Sequence, residues 1–406
     1  MLMQRKPLLA AALASPAIIH AVYANSLSGL IPDLYAGLDV VSRELVGFIP
    51  AVTRNVSAER AAWGENITYP ITPAANVVDI TPAMAIPEPT DQTIGNGSMK
   101  ISKSRAAEFG YTGEEQRGLN NGPGFITVQA DMFAQGLRAL VNEIEIDLAT
   151  EAAAKASRAY GTAGTTPFAT DTGETAQVRK ILDDNGAPPS ERSLIIDTGA
   201  GAALRTLSQL TKVNEAGTMM TLRDGELLNL NGLSIKESAG IVRPAAGTGA
   251  SATTNTAGYA VGATVITLAS AGTGTILAGD VVSFAGDTNK YLVVSGDADV
   301  SNGGTITLAK PGLRVAMSAA AKNITVIAQA TRNIAFPRSA LHLVARAPAL
   351  PDGGDNAVDR MMITDPRSGM AFEVSLYAGY RKMRAEVGLA WGVRGVKTEH
   401  IAMLLG

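Results

Sequence analysis

Residues 261–313, VGATVITLASAGTGTILAGDVVSFAGDTNKYLVVSGDADVSNGGTITLAKPGL, limit the folds open to this chain more than any other stretch. Four β-branched runs, at 265–268, 281–284, 291–294 and 305–308, alternate with turns rich in Gly, Asp and Asn at the short spacing of an antiparallel barrel or sandwich. Long helical patterns and irregular Pro- and Gly-rich segments lie on both sides. The stretch therefore reads as a small all-β module inserted into a larger α+β body. Residues 243–255, RPAAGTGASATTN, read as a low-complexity linker into the module, and 319–332 as the way out. Locally paired strands between such flanks predict a module that folds by itself.

The body itself carries one dominant helical signal. Over 128–160, Phe133, Leu137, Leu140, Val141, Ile144, Leu148 and Ala152 form a single stripe, and most charges fall elsewhere. About 30 residues of helix would span about 45 Å, the length of a structural spine. Leu34, Leu38, Val41, Leu45 and Phe48 mark a second amphipathic helix over 25–52. Between the two, residues 63–121 hold many prolines and no helical face, and predict an extended arm or hairpin that packs outside its own domain. Further along, 175–184 reads as a helix stopped by Asn185-Gly186, 193–197 as a buried strand, 199–213 as a helix and 225–239 as a hairpin. The C-terminal part reads as two or three strands, with Val387, Leu389, Trp391 and Val393 on one face.

Composition narrows the function classes. The formal net charge of −3 leaves no global basic field of the kind that holds nucleic acid by counterion release. With no Cys, disulfides, thiolate metal sites and Cys nucleophiles are all absent. Glycines number 42 while aromatics make up only 5%, which favours extended loops and small-residue packing. At the N-terminus, Arg5 and Lys6 precede the apolar run LLAAALASPAIIHAVYA, so residues 1–24 read as a secretory leader, a terminal helix or an upstream-extended start. No other stretch approaches the length of a membrane span.

Catalytic and ligand-binding constellations fail one by one. Gly199-Ala200-Gly201 follows a strand and opens a helix as a dinucleotide loop would, but Leu204 stands where the third glycine belongs, so a tight strand-to-helix turn is the reading. Asp297, Asp299, Ser301 and Gly303 imitate the start of a calcium loop, yet Asn302 replaces its Gly and Leu308 its bidentate Glu, which leaves a solvated turn. His20, His342 and His400 have no partner at metal-ligand spacing. Glu143, Glu145, Asp147 and Glu151 on the long helix predict a solvated face or one that meets a neighbouring subunit, and Lys100, Lys103 and Arg105 a basic tip on the extended arm. Asn55, Asn66, Asn96 and Asn323 open glycosylation sequons that inform only for a protein secreted from a eukaryote. We therefore assign no catalytic, cofactor-binding or metal residue, no cofactor and no enzymatic activity.

Taken in order, amphipathic arm, extended loop, spine helix, α+β core, inserted β-barrel and C-terminal strands, the chain resembles the tailed-phage major capsid (coat) proteins of the HK-ninety-seven-like fold, specifically the phage P-twenty-two coat protein family with its inserted I-domain. The resemblance rests on LIPDLYAGLDVVSRELVGFIPAVTR (30–54), FITVQADMFAQGLRALVNEIEIDLA (125–149), LAGDVVSFAG (277–286), GTITLAKPGL (304–313) and VGLAWGV (387–393), and covers the chain from about residue 25 onward. It implies an N-terminal arm at 25–62, an E-loop at 63–121, P- and A-domain core with the spine helix at 122–243, an inserted β-barrel at 244–331 and completion of the A- and P-domains at 332–406. It also implies self-assembly into the hexamers and pentamers of an icosahedral shell that encloses double-stranded DNA. The partners implied are scaffolding, portal and decoration proteins, with DNA touched only locally or indirectly and no membrane. Assembly in the host bacterial cytoplasm follows from the same resemblance. Two departures stand out: residues 1–24 have no counterpart, and 254–264 is short and nearly uncharged where the family carries a long charged hairpin. Lysine-to-asparagine crosslinking is not implied.

A second reading, from another class, is a secreted surface-layer or carbohydrate-binding protein that uses the leader and the β module. It leaves the Pro-rich arm and the long spine helix without a purpose.

Overall fold

The computed structural model describes residues 46–71, 77, 79, 80, 82, 95–120, 125–207, 229–364 and 370–406. The leader-like 1–24, the part of the helix expected over 25–52 that runs to residue 45, the end of the one expected to 213 and the start of the 225–239 hairpin lie outside the described residues, as does His20.

In chain order the N-terminal part holds β1 (Thr53–Ala61), β2 (Asn66–Ile71), β3 (Gly95–Lys100), β4 (Lys103–Thr112), α1 (Gly113–Asn120) and the long α2 (Phe125–Lys155). The middle holds β5 (Arg158–Gly161), α3 (Gly173–Asp184), β6 (Arg192–Ile196), α4 (Thr198–Thr206), β7 (Asn229–Leu230) and β8 (Leu233–Glu237). The β module contributes β9 (Val265–Leu268), β10 (Val281–Phe284), β11 (Lys290–Ser295), β12 (Gly304–Leu308) and β13 (Ile324–Val326). The remainder is β14 (Arg332–Pro337), β15 (Leu341–Pro348), β16 (Ala357–Thr364), β17 (Ala371–Gly379), β18 (Lys382–Gly395) and β19 (Ala402–Leu405). The protein is α+β and rich in strands.

The chain divides into two compact units. The smaller takes its described residues from Arg105–Val141 and Leu350–Leu389. In it, β16 and β17 pair antiparallel (Ile363↔Phe372), β17 continues onto the first half of β18 (Leu376↔Ala385), and Phe109 meets Phe133 edge-on at 4.5 Å.

Among the described residues of the larger unit, hydrophobic cores include two large ones and a smaller one around Ala61, Met99, Ile101, Val344 and Ala390. One of the two large cores lies under the ladder β5–β19–β14–β6–β8, where α3 and α4 bury Val178, Leu182, Ala200 and Leu204 against Leu194, Ile196, Ala335 and Leu404. The other is made by the β module alone: Ile266, Leu268, Val282, Phe284, Tyr291, Val293, Ile306, Leu308 and Ile324 close on one another from antiparallel pairs β9–β12, β12–β11, β11–β10 and β10–β13. All four β-branched runs read from the sequence are strands here. Elsewhere in this unit, β1 lies parallel to β15 (Thr53↔His342 to Ala61↔Pro348), and β15 pairs with the second half of β18 (Ala345↔Trp391).

The expected spine is present as α2, and each residue of its stripe is buried, from Phe133 through Ala152. It stops earlier than the pattern suggests. The chain enters β5 at Arg158 to pair with β19 and β11, and Gly161 leaves that strand at φ +98. A Cβ on Gly161 would stand 2.5 Å from the Leu405 carbonyl oxygen, so this exit demands glycine twice over.

Other boundaries differ too. Residues 46–52 form turns rather than the end of a helix, because the Gly47, Phe48 and Ile49 amides are taken by a side chain and cannot enter a helical ladder. In the segment expected to be extended throughout, α1 forms, its first turn capped by Thr112 and Glu115 in reciprocal hydrogen bonds. The expected linker 243–255 is no free tether: the Gly247 amide donates to Asp280, and Ala252 and Thr254 are buried on the module. Likewise 319–332 contains β13.

Candidate assembly interface

The second half of α2 carries the acidic cluster that the sequence singles out. Glu143, Asp147 and Glu151 share one face by their four-residue spacing, and each is engaged within its own unit. Lys103 Nζ lies 2.8 Å from Glu143 Oε1 and 2.8 Å from Asp147 Oδ1. Burial works against the Lys103 ammonium, yet the two carboxylates outweigh it and hold its pKa above the ordinary lysine value. The other oxygen of Asp147 accepts from Trp391 Nε1 at 2.9 Å, Lys103 lies 5.9 Å from the Trp391 ring centre, and Glu151 accepts from the Gly395 amide at 3.1 Å.

Glu145 points the other way and is only 2% exposed. Its Oε1 accepts from the amides of Gly47 (2.6 Å) and Phe48 (2.8 Å) and from Ser238 Oγ (2.7 Å), and its Oε2 from the Ile49 amide (3.1 Å). Three successive backbone N–H groups around one carboxylate make an anion nest filled from within the chain. Burial raises the Glu145 pKa, and the four hydrogen bonds only partly oppose it. Gly47 is required there, because a Cβ would stand 2.8 Å from the Glu237 carbonyl oxygen.

The acidic cluster is therefore an internal clamp, and the expectation of a solvated or neighbour-facing side is overturned. Spacing alone could not reveal this, since the donors come from residues 47–49, 103, 238, 391 and 395. Lys103 likewise serves the clamp instead of forming a basic tip, and Lys100 lies over the Trp63 ring, 5.5 Å from its centre.

The remaining sequence candidates take ordinary structural places. Asp197 caps α4 by accepting from the Gly199 and Ala200 amides, and a Cβ on Gly201 would collide with Glu237 Oε1 at 1.5 Å, so these glycines serve the strand-to-helix turn. Asp299 accepts from Ser301 N, Ser301 Oγ and Asn302 Nδ2, and Asp297 from the Asp299 amide, which uses their oxygens within the turn. The His342 ring lies tilted against that of Tyr69, 5.9 Å between centres, and burial lowers its pKa toward a neutral ring. Burial likewise lowers that of His400. Among the described residues no group of three acidic or imidazole side chains is placed to hold a metal ion, and no helix is long and apolar enough to cross a membrane.

The β2–β3 hairpin carries the opposite chemistry. Its base is fixed: Trp63 Nε1 donates to the Ser102 carbonyl at 3.0 Å, the Gly64 amide donates to the Ile101 carbonyl and the Ile101 amide to the Glu65 carbonyl, and Met99 and Ile101 are buried with Ala61, Val344 and Ala390. On the segment joining the two strands, Val77 is 96% and Ile80 98% exposed, and Trp63 at the base is 70% exposed. Val78, Met84 and Ile86, further apolar residues of the same segment, lie outside the described residues. In the smaller unit the β17–β18 turn presents Tyr380 at 90% exposure beside Arg381, whose φ of +59 is left-handed. Sequence reading missed this tip, although Gly379-Tyr380-Arg381-Lys382 has the composition of an exposed hairpin turn.

No protein-family model matches the chain, and no curated protein matches it. Among solved structures it is similar to a chain of the capsid of the cyanophage P-SCSP1u, at 13% identity over 89% of this chain and 88% of that one, with a TM-score of 0.48. It is similar to a chain of the mature capsid of bacteriophage PhiM1 at 11% identity over 89% and 86%, with a TM-score of 0.44. A virus-like particle from Pyrococcus furiosus gives 11% identity over 92% and 98%, with a TM-score of 0.42.

Proposed function

We propose that this chain is a major capsid protein of the HK-ninety-seven-like fold, whose copies close into the icosahedral shell around the double-stranded DNA of a tailed bacteriophage. The observation that carries the reading is the β2–β3 hairpin: a base locked into the core and, beyond it, Val77 and Ile80 almost wholly exposed. Apolar side chains held out on a firm stalk suit burial against another copy rather than against water. On this reading the hairpin is the E-loop, α2 is the spine of the P-domain, β9 to β13 form the inserted domain, and the function is assembly without catalysis. Scaffolding and portal proteins are partners in forming the shell, and DNA is met only through local or indirect contacts.

The test is to express the chain with the scaffolding gene beside its own and examine the product by electron microscopy and light scattering. Closed shells or capsomers are expected. A monodisperse monomer under every assembly condition overturns the reading.

A further inference from the structure

The β module meets the rest of the larger unit through a narrow junction. Its hydrophobic core is drawn from its own residues, and the backbone ladder joining it to β5 has two residue pairs, Lys290↔Ala159 and Tyr291↔Arg158. At that ladder Arg158 is buried, its side chain only 3% exposed. One arm of the guanidinium serves the module: Nη1 donates to Asn289 Oδ1 at 3.0 Å. The other serves the end of α3: Nη2 donates to Asp184 Oδ2 at 2.9 Å and to Asn185 Oδ1 at 3.5 Å. The module's side of this contact is itself held in place. Asn289 turns its oxygen toward Arg158 because its Nδ2 donates to Asp287 Oδ1 at 2.7 Å, and the other Asp287 oxygen accepts from Tyr291 Oη at 2.6 Å. Lys290 Nζ also donates to the Gly161 carbonyl, and Arg314 Nη2 lies 3.9 Å from Asp184 Oδ1.

As a source of stability this arrangement is poor. Arg158 Nε is buried without a hydrogen-bond partner, and its carboxylate partner keeps 28% of its side chain in solvent, so desolvation of the guanidinium is only partly offset. As a device for orientation it is good, because a rigid planar fork whose two ends are bonded to different bodies fixes the angle between them. We propose that Arg158 is a positioning residue that pins the β module in a single orientation on the α3–β5 edge, while contributing little to the stability of either body. The proposal concerns the free chain and does not depend on the shell reading.

The experiment is hydrogen exchange of the full-length, unassembled chain carrying Arg158→Met or, separately, Asn289→Ala. The second removes the module's contact, together with the Asn289–Asp287 side-chain hydrogen bond inside the module, and leaves the Arg158–Asp184 pair intact, so it keeps the test open if Arg158→Met folds poorly. Both variants are expected to exchange about tenfold faster in peptides covering β5 and the start of β11, with β9 and β12 protected as before and the thermal midpoint unchanged. Unchanged exchange at the junction overturns the proposal. So does loss of protection in β9 and β12 together with the junction, which would make Arg158 part of one shared core.

Discussion

The acidic half of α2 and the β2–β3 hairpin belong to one unit and have exchanged the places that their chemistry suggests. Four carboxylates on the helix, the residue type most at home in water, are held inward by backbone amides, a lysine, an indole and a serine. Two branched apolar residues of the hairpin segment are among the most exposed side chains described. The difference lies in where partners can come from. A carboxylate is stable inside when enough donors converge on it, whereas an exposed Val or Ile gains only when another surface covers it. The first arrangement is complete within one chain, and the second invites a further one.

Glu145 offers the strongest way to break this contrast. Its replacement by Ala leaves the amides of residues 47–49 and Ser238 Oγ without their acceptor in a buried place, and about 3 kcal/mol or more of stability should be lost. Denaturant unfolding of the unassembled chain measures it, and a loss below about 1 kcal/mol would mean that the clamp is ornamental.

The same residue predicts a pH slope. Burial raises the Glu145 pKa in the folded state, so the fold binds this proton more tightly than the unfolded chain does. Its contribution to stability is therefore fully present below the ordinary carboxylate pKa and is lost as pH rises through the raised value. Glu145→Gln should flatten that part of the curve relative to the unaltered chain in unfolding midpoints taken across a pH series. Parallel curves would show that Glu145 ionises as freely in the fold as in the unfolded chain.

A smaller effect is expected at Trp391→Phe, which deletes the donor to Asp147 but keeps most of the buried ring. About 1 kcal/mol should go, with the Lys103 pair left in place. The smallest change in stability, within about 0.5 kcal/mol, is expected for the double variant Val77→Ser/Ile80→Ser, since both side chains are already in water. Its yield of assembled particles should nevertheless fall sharply, and undiminished assembly would remove the hairpin from the interface.

Local pattern was enough wherever a segment's partners lie close in sequence. The strands β9 to β12 could be read because period-two β-branched runs and glycine turns specify adjacent antiparallel pairs, and Asn231-Gly232, both at positive φ, turn β7 back onto β8 in the same way. The spine helix could be read because its stripe repeats along a single element. Strand β1 could not, since its only backbone strand partner among the described residues is β15, nearly 300 residues away, and TRNVSAERA shows no alternation of its own. Nor could β5, a four-residue strand whose identity comes from β19 on one side and β11 on the other.

For the candidate sites the division is sharper. Residue types alone excluded thiol chemistry and argued against a dinucleotide loop or a calcium loop, because those sites need particular side chains at short fixed spacings, and their absence is visible in one dimension. Whether a carboxylate faces water, a neighbour or the interior was decided only by the tertiary structure. The donors that bury Glu145 come from residues 47–49 and 238, those that hold Asp147 from 103 and 391, and the acceptors that orient Arg158 from 184 and 289. A charge is tolerated inside when several remote groups converge on it to within about 3 Å, and such convergence is a property of the folded chain that no local window of sequence contains.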